Sequence, residues 1–378
     1  MSIILIGLVA AALFYIQHRL YQHTWNKAVN VAIKFHDDAV RAGEQTTLTE
    51  VVENAKWLPL PALKVKFQCS CTLIFASDQS SKVSDMYYRN DLFSLMPYRR
   101  ITRKHKITCS KRGYYGIKGI DLVSADLFLA REMVETRAGE TWLHVFPKPL
   151  EIPELPVTLR ELCGEATERR HLVTDPFAFR GIREYTPFDE VKTVNWKASA
   201  KAEDLKVNVY DYSAVSSVSL FVNVADSQMS GSVDNIEKAL SIAAYLAEAF
   251  LTKGVNLSLY ANGRDCLQKT TLCLEDCCDR RQLIQINKML ARLDLEQKPE
   301  PFACFSQHLK QQADRMLVVI SPYWLDDFQE MLAGQDNQRD IVWLCPCRKE
   351  EDIKVRAGLQ NRTLLITDEM TRMGNHTY

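Results

Sequence analysis

The sequence predicts a multi-domain α+β protein made of an N-terminal membrane anchor, an antiparallel β-sandwich and a doubly wound α/β domain. Three observations predict it. The chain is almost wholly apolar from Ile3 to Ile16. From about Val29 to Phe146 apolar residues recur with period two, the mark of half-buried strands. After residue 213, apolar runs of strand length alternate with segments of helical period, which builds a mostly parallel sheet. The 378 residues are enough for two or three domains. The expected boundaries are an anchor over 1–21, a β-sandwich over 28–147, a linker with a charged segment over 148–212, and the α/β domain over 213–378.

Composition narrows the function. Hydrophobic content of 47% and charged content of 25% are those of an ordinary folded protein. Forty-seven basic residues balance 47 acidic ones. That neutrality argues against nucleic acid as a partner, because phosphate binding needs a positive field. The eleven cysteines include Cys69/Cys71, Cys277/Cys278 and Cys345/Cys347, mostly inside apolar runs. They read as reduced thiols packed as small hydrophobes.

The apolar start is short for a membrane span. At about 1.5 Å per residue, Ile3 to Ile16 covers part of a hydrocarbon core roughly 30 Å thick. Extending it to Tyr21 requires Gln17, His18 and Arg19 to snorkel. Tyr15, Tyr21 and Trp25 are then expected at the interface. A cleaved signal peptide and a helix packed on a soluble protein are the alternatives, but a signal peptide begins with a basic n-region, and none precedes the run. Arg19, Lys27 and Lys34 all follow it. The positive-inside rule then predicts a single-pass protein of the cell membrane with the bulk of the chain cytoplasmic.

The β-sandwich is clearest at residues 63–73. Leu63, Val65, Phe67, Cys69, Cys71 and Leu73 alternate with Lys64, Lys66, Gln68, Ser70 and Thr72. Further strands are expected near 31–35, 47–53, 101–109, 117–123 and 141–146. Residues 111–116 read as a turn whose glycines, Gly113 and Gly116, supply positive φ. Pro147, Pro149, Pro153 and Pro156 then mark a linker.

The charged segment packs Gly181, Arg183, Glu184, Tyr185 and Asp189, then Trp196, Lys197, Ser199, Ala200 and Lys201, into about twenty residues. A solvated loop would not need Tyr185 and Trp196, and a core segment would not need so many charges. Arg183, Glu184 and Asp189 can form an ion-pair cluster that fixes the fold, or they can meet a partner. The pattern resembles the signature of the domain of unknown function 58 (DUF 58) family, loosely G-x-R-E-Y-x-x-G-D followed by W-K-x-(S/T)-A-R. Phe188 stands for the family's glycine and Lys201 for its arginine. Arg112-Gly113-Tyr114 matches a turn of the family's β domain, whereas Asp126-Leu127-Phe128-Leu129 lacks the proline and glycine of its Asp-Pro-Phe-Gly segment.

In the α/β region the expected elements are a strand over 215–224, an amphipathic helix over 233–253 ended by Gly254, a strand over 255–260, and helices near 281–293 and 302–313. Strands 316–320 and 341–345, a helix over 326–332 and a last strand near 362–367 follow. What the resemblance implies here is a von Willebrand factor A-like domain. Such domains often hold a divalent cation such as Mg²⁺ on Asp-x-Ser-x-Ser. Asp226 and Ser230 fit only as a degenerate site, since Gln228 takes the place of the first serine. In an earlier register Asn223 replaces the aspartate, and Ser321 stands where an acidic residue is usual. Cys266, Cys273, Cys277 and Cys278 lack the knuckle spacing of a structural zinc site.

No phosphate loop, dinucleotide fingerprint, nucleophile elbow or zinc-protease motif occurs. The resemblance therefore implies a membrane-tethered, non-catalytic adaptor. It would work beside a MoxR-type AAA+ ATPase on an unidentified client protein, with no resident cofactor. Arg183, Glu184, Tyr185, Asp189, Trp196 and Lys197 are the expected partner-binding or interdomain residues. The rivals are a cysteine-dependent hydrolase or thiol enzyme, and a metal-dependent adhesion module held outside the cell.

Overall fold

The structure, a computed structural model, describes residues 2–76, 80–83, 86–150, 152, 174–186, 194–202, 204–212, 217–225, 233–305, 308, 315–336, 341–348 and 353–367. It is a sheet-rich α+β protein that divides into two compact units. The first comprises Met1–Lys148 with two later segments, Asp265–Thr270 and Asn287–Asp294. The second comprises Pro149–Arg264, Thr271–Ile286 and Leu295–Tyr378.

The first unit opens with helix α1, Ser2–Thr24. Its 23 residues make a rod of roughly 34 Å, long enough for a bilayer core. Among the described residues it is the one helix long and apolar enough to cross a membrane. Its C-terminal end departs from expectation. Tyr21 and Trp25 are 2% and 5% exposed rather than interfacial. Trp25 joins the core of the sandwich, and the Tyr21 hydroxyl donates to the Pro59 carbonyl at 2.9 Å.

Two sheets enclose that core. One orders β1 (Val29–Phe35), β3 (Gln45–Asn54), β8 (Arg99–Cys109) and β5 (Leu73–Phe75). The other orders β2 (Ala39–Arg41), β10 (Glu132–Phe146), β9 (Gly113–Ala125), β4 (Leu60–Ser70), β7 (Met86–Leu95) and β6 (Ser80–Val83). Neighbours run antiparallel except β2 and β10, which pair in parallel. The alternation read in β4 holds, with Leu63, Val65, Phe67 and Cys69 buried. Cys71 lies beyond the strand and is half-buried.

Two expectations change. Gly113 and Gly116 sit on β9, and neither has positive φ. A Cβ on Gly116 would instead overlap the Trp142 ring, which stacks on Tyr114 with ring centroids 5.1 Å apart. Strand β7 escaped the period-two reading because charged residues occupy its buried positions. Arg89 and Asp91 are each 2% exposed, with Arg89 Nε donating to Asp91 at 3.1 Å and Arg103 reaching Asp91 at 2.9 Å. His105 meets Glu50 at 3.3 Å, while Glu50 Oε1 finds no hydrogen-bond partner among the described residues.

The second unit holds a hairpin of β11 (Thr174–Glu184) and β12 (Lys206–Tyr212), with α2 (Trp196–Ala202) between them. Its main sheet begins with β13 (Ser217–Val222), which pairs in parallel with β14 (Asn256–Asp265) on one side. On the other side it pairs in parallel with β17 (Met316–Ile320). Parallel pairing continues through β18 (Ile341–Pro346) to β19 (Thr363–Ile366). The two-residue strand β16, Leu293–Asp294, belongs to the first unit. The antiparallel edge strand β15 (Thr271–Cys277) was not expected. Only Leu272 and Cys277 are buried along it, so its apolar signal is weak.

Helix α3 (Val233–Thr252) packs on β13, β17 and β18, and Gly254 at φ +72° ends the turn after it. Helix α4 spans Gln282–Arg292. Helix α5 (Asp326–Asp336) places Phe328 and Leu332 in a cluster with Phe221, Val319 and Trp343. Residues alternating with these along the strands, such as Leu220 and Leu344, are also fully buried, so the sheet is covered on both faces. The helix expected near 302–313 begins as a single 3-10 turn, Phe302–Phe305, and most of its remainder lies outside the described residues.

The buried charges of the sandwich can be tested by pH. Burial pushes Asp91 up, but Arg89 outweighs it and holds the carboxyl below its ordinary value. Burial pushes Glu50 up, and the His105 bond offsets this only in part. A depressed acid stabilises above its unfolded pKa, and that contribution is lost as pH falls through the folded pKa. A raised one stabilises below its unfolded pKa, and that contribution is lost as pH rises through the folded pKa. Asp91→Asn is therefore expected to cost about 3–5 kcal/mol at neutral pH, because it removes the buried negative charge that pairs with Arg89. Glu50→Gln should gain on the native protein as pH rises from about 4 to about 8. Melting curves across that range check both, and a Glu50→Gln difference independent of pH would contradict the second.

Candidate functional site

Two places carry the residues singled out by the sequence: the charged signature, and the crevice at the carboxyl ends of β13 and β17. Both lie in the second unit.

The signature folds as a strand, a bridge and a helix. Gly181 opposes Val209, Arg183 opposes Val207 and Glu184 opposes Lys206 across the hairpin. Asn195 starts α2. Its Oδ1 accepts the Ala198 N–H at 2.9 Å, an N-cap bond. Ser199 ties the helix to the hairpin: its hydroxyl donates to Asn195 O at 2.8 Å and accepts the Lys206 N–H at 2.8 Å. Val194 bridges Val207, which is 1% exposed. Asn195, Ser199 and the two valines thus build the scaffold, and the sequence pattern did not single out Asn195.

The other signature side chains face outward. Arg183, Glu184 and Lys197 are exposed, and Tyr185 is half-buried. Trp196 is 66% exposed on the first turn of α2. Glu184 pairs with Lys206 at 3.3 Å, and Arg183 donates to the Glu184 carbonyl at 2.9 Å. Asp189 lies outside the described residues, so the expected Arg183–Glu184–Asp189 cluster is described only in its first two members. Ile182 and Leu205 add exposed apolar surface, each at 47%.

The crevice sits where the chain leaves β13 for neighbours on opposite sides, the position at which open parallel sheets bind ligands. An open groove of about 1080 Å³ lies there, bordered by Asn223, Arg264, Glu300, Phe302, Tyr323 and Asp327 among others. Its floor is a neutral network. Asn223 Nδ2 donates to Ser321 Oγ at 3.0 Å, and Asn262 Nδ2 donates to Asn223 Oδ1 at 2.8 Å and to Glu300 O at 2.7 Å. Asn223 Oδ1 also accepts the Ala225 N–H, and Asn262 Oδ1 accepts the Val224 N–H. Ser321 Oγ donates to Tyr323 O and accepts the Tyr323 N–H. Each polar side chain on this floor is committed to another protein group.

Such a floor does not suit Mg²⁺, which wants carboxylate and water oxygens with free lone pairs. Asp226 and Ser230 lie outside the described residues. Two other groups of metal-capable side chains occur among the described residues: Glu50 with Asp91 and His105, and Cys273 with Glu275 and His308. In the first, Arg89 and Arg103 occupy the Asp91 carboxylate, and Glu50 meets His105. In the second, Tyr260 already donates to Glu275 at 3.0 Å and His308 contacts it at 3.5 Å. The sequence reading missed His308 as a neighbour of Cys273 because 35 residues of chain separate them. Cys266 belongs to the first unit, apart from Cys273, Cys277 and Cys278 in the chain's division.

Residues 181–352 match a family model described as "Protein of unknown function DUF58". No curated protein matches the chain. Similar solved structures include a CARDB domain from Pyrococcus furiosus, 16% identical over 31% of this chain and 96% of that one, at a TM-score of 0.20. A cohesin module of a family 33 glycoside hydrolase from Clostridium perfringens is 12% identical over 31% and 98%, at 0.22. A non-cellulosomal cohesin from Archaeoglobus fulgidus is 9% identical over 31% and 91%, at 0.21. These scores are too low to bear on fold or function.

The ten described cysteines are free thiols. Burial pushes Cys69 up to about 12 and Cys109 and Cys277 up to about 11, and it raises Cys273 and Cys304 as well. A raised thiol holds little thiolate at neutral pH, so alkylation should be slow at these five cysteines and accelerate with pH. Mass-spectrometric mapping of iodoacetamide adducts checks this, and one fast site at neutral pH would favour a thiol enzyme. Asn223→Ala should cost about 1–3 kcal/mol for each partner it leaves unpaired, read as a lower melting temperature.

Proposed function

We propose that this chain is a membrane-tethered, non-catalytic adaptor. It works with a MoxR-type AAA+ ATPase in assembling or remodelling a client protein. In this reading α1 is the single-pass anchor, the bulk of the chain is cytoplasmic, and the second unit is a doubly wound, von Willebrand factor A-like domain that acts without a resident metal. The saturated floor of Asn223, Asn262 and Ser321 supports the metal-free part. The observation that carries the adaptor reading is the division of labour in the signature. Asn195 and Ser199 do the internal bonding, whereas Trp196, Arg183 and Lys197 are displayed to solvent. An exposed tryptophan and an exposed arginine on one motif are the composition of an interface anchor rather than of a fold-stabilising joint.

The test is a mild-detergent pull-down of the full-length protein with partners identified by mass spectrometry. An AAA+ ATPase is expected with the native protein, and its recovery should fall about tenfold or more when Trp196→Ala is combined with Arg183→Ala, as for a lost hot spot. Both side chains are exposed, so the variant should keep its melting temperature. Recovery of no ATPase, with or without nucleotide, would overturn the partnership. Equal recovery by the variant would move the interface elsewhere.

A further inference from the structure

The end of the β-sandwich next to α1 carries one hairpin tip and two turns that connect the sheets, and each displays large apolar side chains to solvent. The β9–β10 tip exposes Leu127, Phe128 and Leu129 at 49%, 61% and 63%. The β3–β4 turn exposes Trp57 at 61%, and the β7–β8 turn exposes Met96 and Tyr98 at 65% and 70%. Backbone conformation makes the choice of residue more telling. Leu129 and Tyr98 have φ of 55° and 54°, the left-handed region that glycine or asparagine occupies at lower cost. Both tips keep an apolar side chain where local preference is against it.

Contacts within the first unit fix the height of each tip along α1. Asp126 accepts from Gln17 at 3.3 Å and lies 3.3 Å from His18 Nδ1. Phe128 reaches further toward the helix N-terminus, with its ring 5.6 Å from that of Phe14. Ala10, Leu13, Phe14, Leu127 and Phe128 line one apolar groove of about 740 Å³. The Trp57 and Tyr98 turns sit beside the helix C-terminus, where Lys56 donates to Thr24 O at 2.7 Å and Tyr98 N–H donates to Lys56 O at 3.2 Å. Residue 14 lies about 15 Å from residue 24 along a helix. The Phe128 tip is thus level with the apolar part of α1, and the Trp57 and Tyr98 tips are level with its polar end.

We propose that this end of the sandwich is a second membrane contact: the Leu127–Leu129 tip enters the acyl chains of the leaflet beside α1, and Trp57 and Tyr98 lie in its headgroup layer. The apolar groove then holds an acyl chain, continuous with the lipid around α1. Arg99 and Arg100 at the start of β8 and Arg131 just before β10, all exposed, face anionic headgroups. Glu132, next to Arg131, is neutralised by Lys64 at 2.6 Å. This inference rests on α1 being an anchor, and it adds that the folded sandwich itself touches lipid.

The test uses full-length protein in phosphatidylcholine vesicles containing phosphatidylglycerol. A genetically encoded fluorescent amino acid is placed at position 128, at position 8 of the helix, or at position 74. Ile74 is exposed on β5, which pairs with the Cys109 end of β8 away from α1. Lipids carrying a doxyl quencher near the headgroup or deep in the acyl chain report depth. The label at 128 should lose about half its emission or more to the shallow quencher, as interfacial insertion requires. The label at 8 should respond to the deep quencher, and the label at 74 to neither. Quenching at 8 with none at 128 would overturn the second contact and leave the anchor intact. Quenching at neither would overturn the anchor and this inference together.

Discussion

The junction between α1 and the sandwich rests on backbone carbonyls that must find donors. A helix leaves its last four carbonyls unpaired, and they cannot stay so when the end is packed against protein. Lys56 serves the last helical carbonyl and the turn after it from the β3–β4 turn: its ammonium meets the carbonyls of Thr24, at the end of α1, and of Trp25 and Lys27 just beyond it. Arg137 on β10 completes it, donating to Asn26 O at 3.1 Å and Val29 O at 2.5 Å. With Tyr21 and Trp25 buried beside these bonds, α1 is the first element of the sandwich rather than a tail attached to it. Any constraint on the helix is then a constraint on the tips of β3–β4, β7–β8 and β9–β10.

The same economy governs the second unit. The carboxyl ends of β13 and β17 form the crevice where a parallel sheet can offer ligand oxygens, yet Asn223, Asn262 and Ser321 use their donors and acceptors on one another. An amide–hydroxyl floor of this kind holds loops in register, because an unpaired member would cost about 1–3 kcal/mol. The signature divides in a similar way. Ser199 and Asn195 are spent on the joint between α2 and the hairpin, and what remains exposed is aromatic and charged. Chemistry that a partner could read is therefore on the signature, whereas the crevice floor reads as structure.

How much of this was legible in the sequence depended on where polarity and burial agreed. Strand β4 was plain because Lys64, Lys66 and Gln68 alternate with Leu63, Val65 and Phe67. Strand β7 was not, because Arg89 and Asp91 fill buried positions and satisfy each other there. The first half of β10, from Glu132 to Gly139, was also missed: none of its side chains is fully buried, so no alternation in hydrophobicity marks it. Tyr21 and Trp25 looked interfacial because aromatics after an apolar run usually are, but composition alone does not reveal that a sandwich packs onto the helix end. In the signature, the residue types were legible and their division into scaffold and display was not, since Ser199 and Lys197 look alike until hydrogen bonds separate them.

The half-solvated ribbon of β9 and β10 bears on why the tips are apolar at all. The β10 side of this ribbon buries none of its side chains from Glu132 to Glu140 and so adds little to the core, and the tip holds Leu129 in a costly backbone region. In water, three exposed large side chains would add nothing to fold stability. In lipid, each would gain about 1.5–3 kcal/mol on burial, more than the roughly 1–2 kcal/mol that the left-handed leucine costs. A lone transmembrane helix tilts readily, because small mismatch energies set its angle. A contact displaced from the helix axis, and joined to it through Lys56, Arg137 and Asp126, opposes that tilt. The ribbon's length, its apolar tip and the bonded junction thus become parts of one device, which orients the sandwich on the membrane instead of merely attaching it.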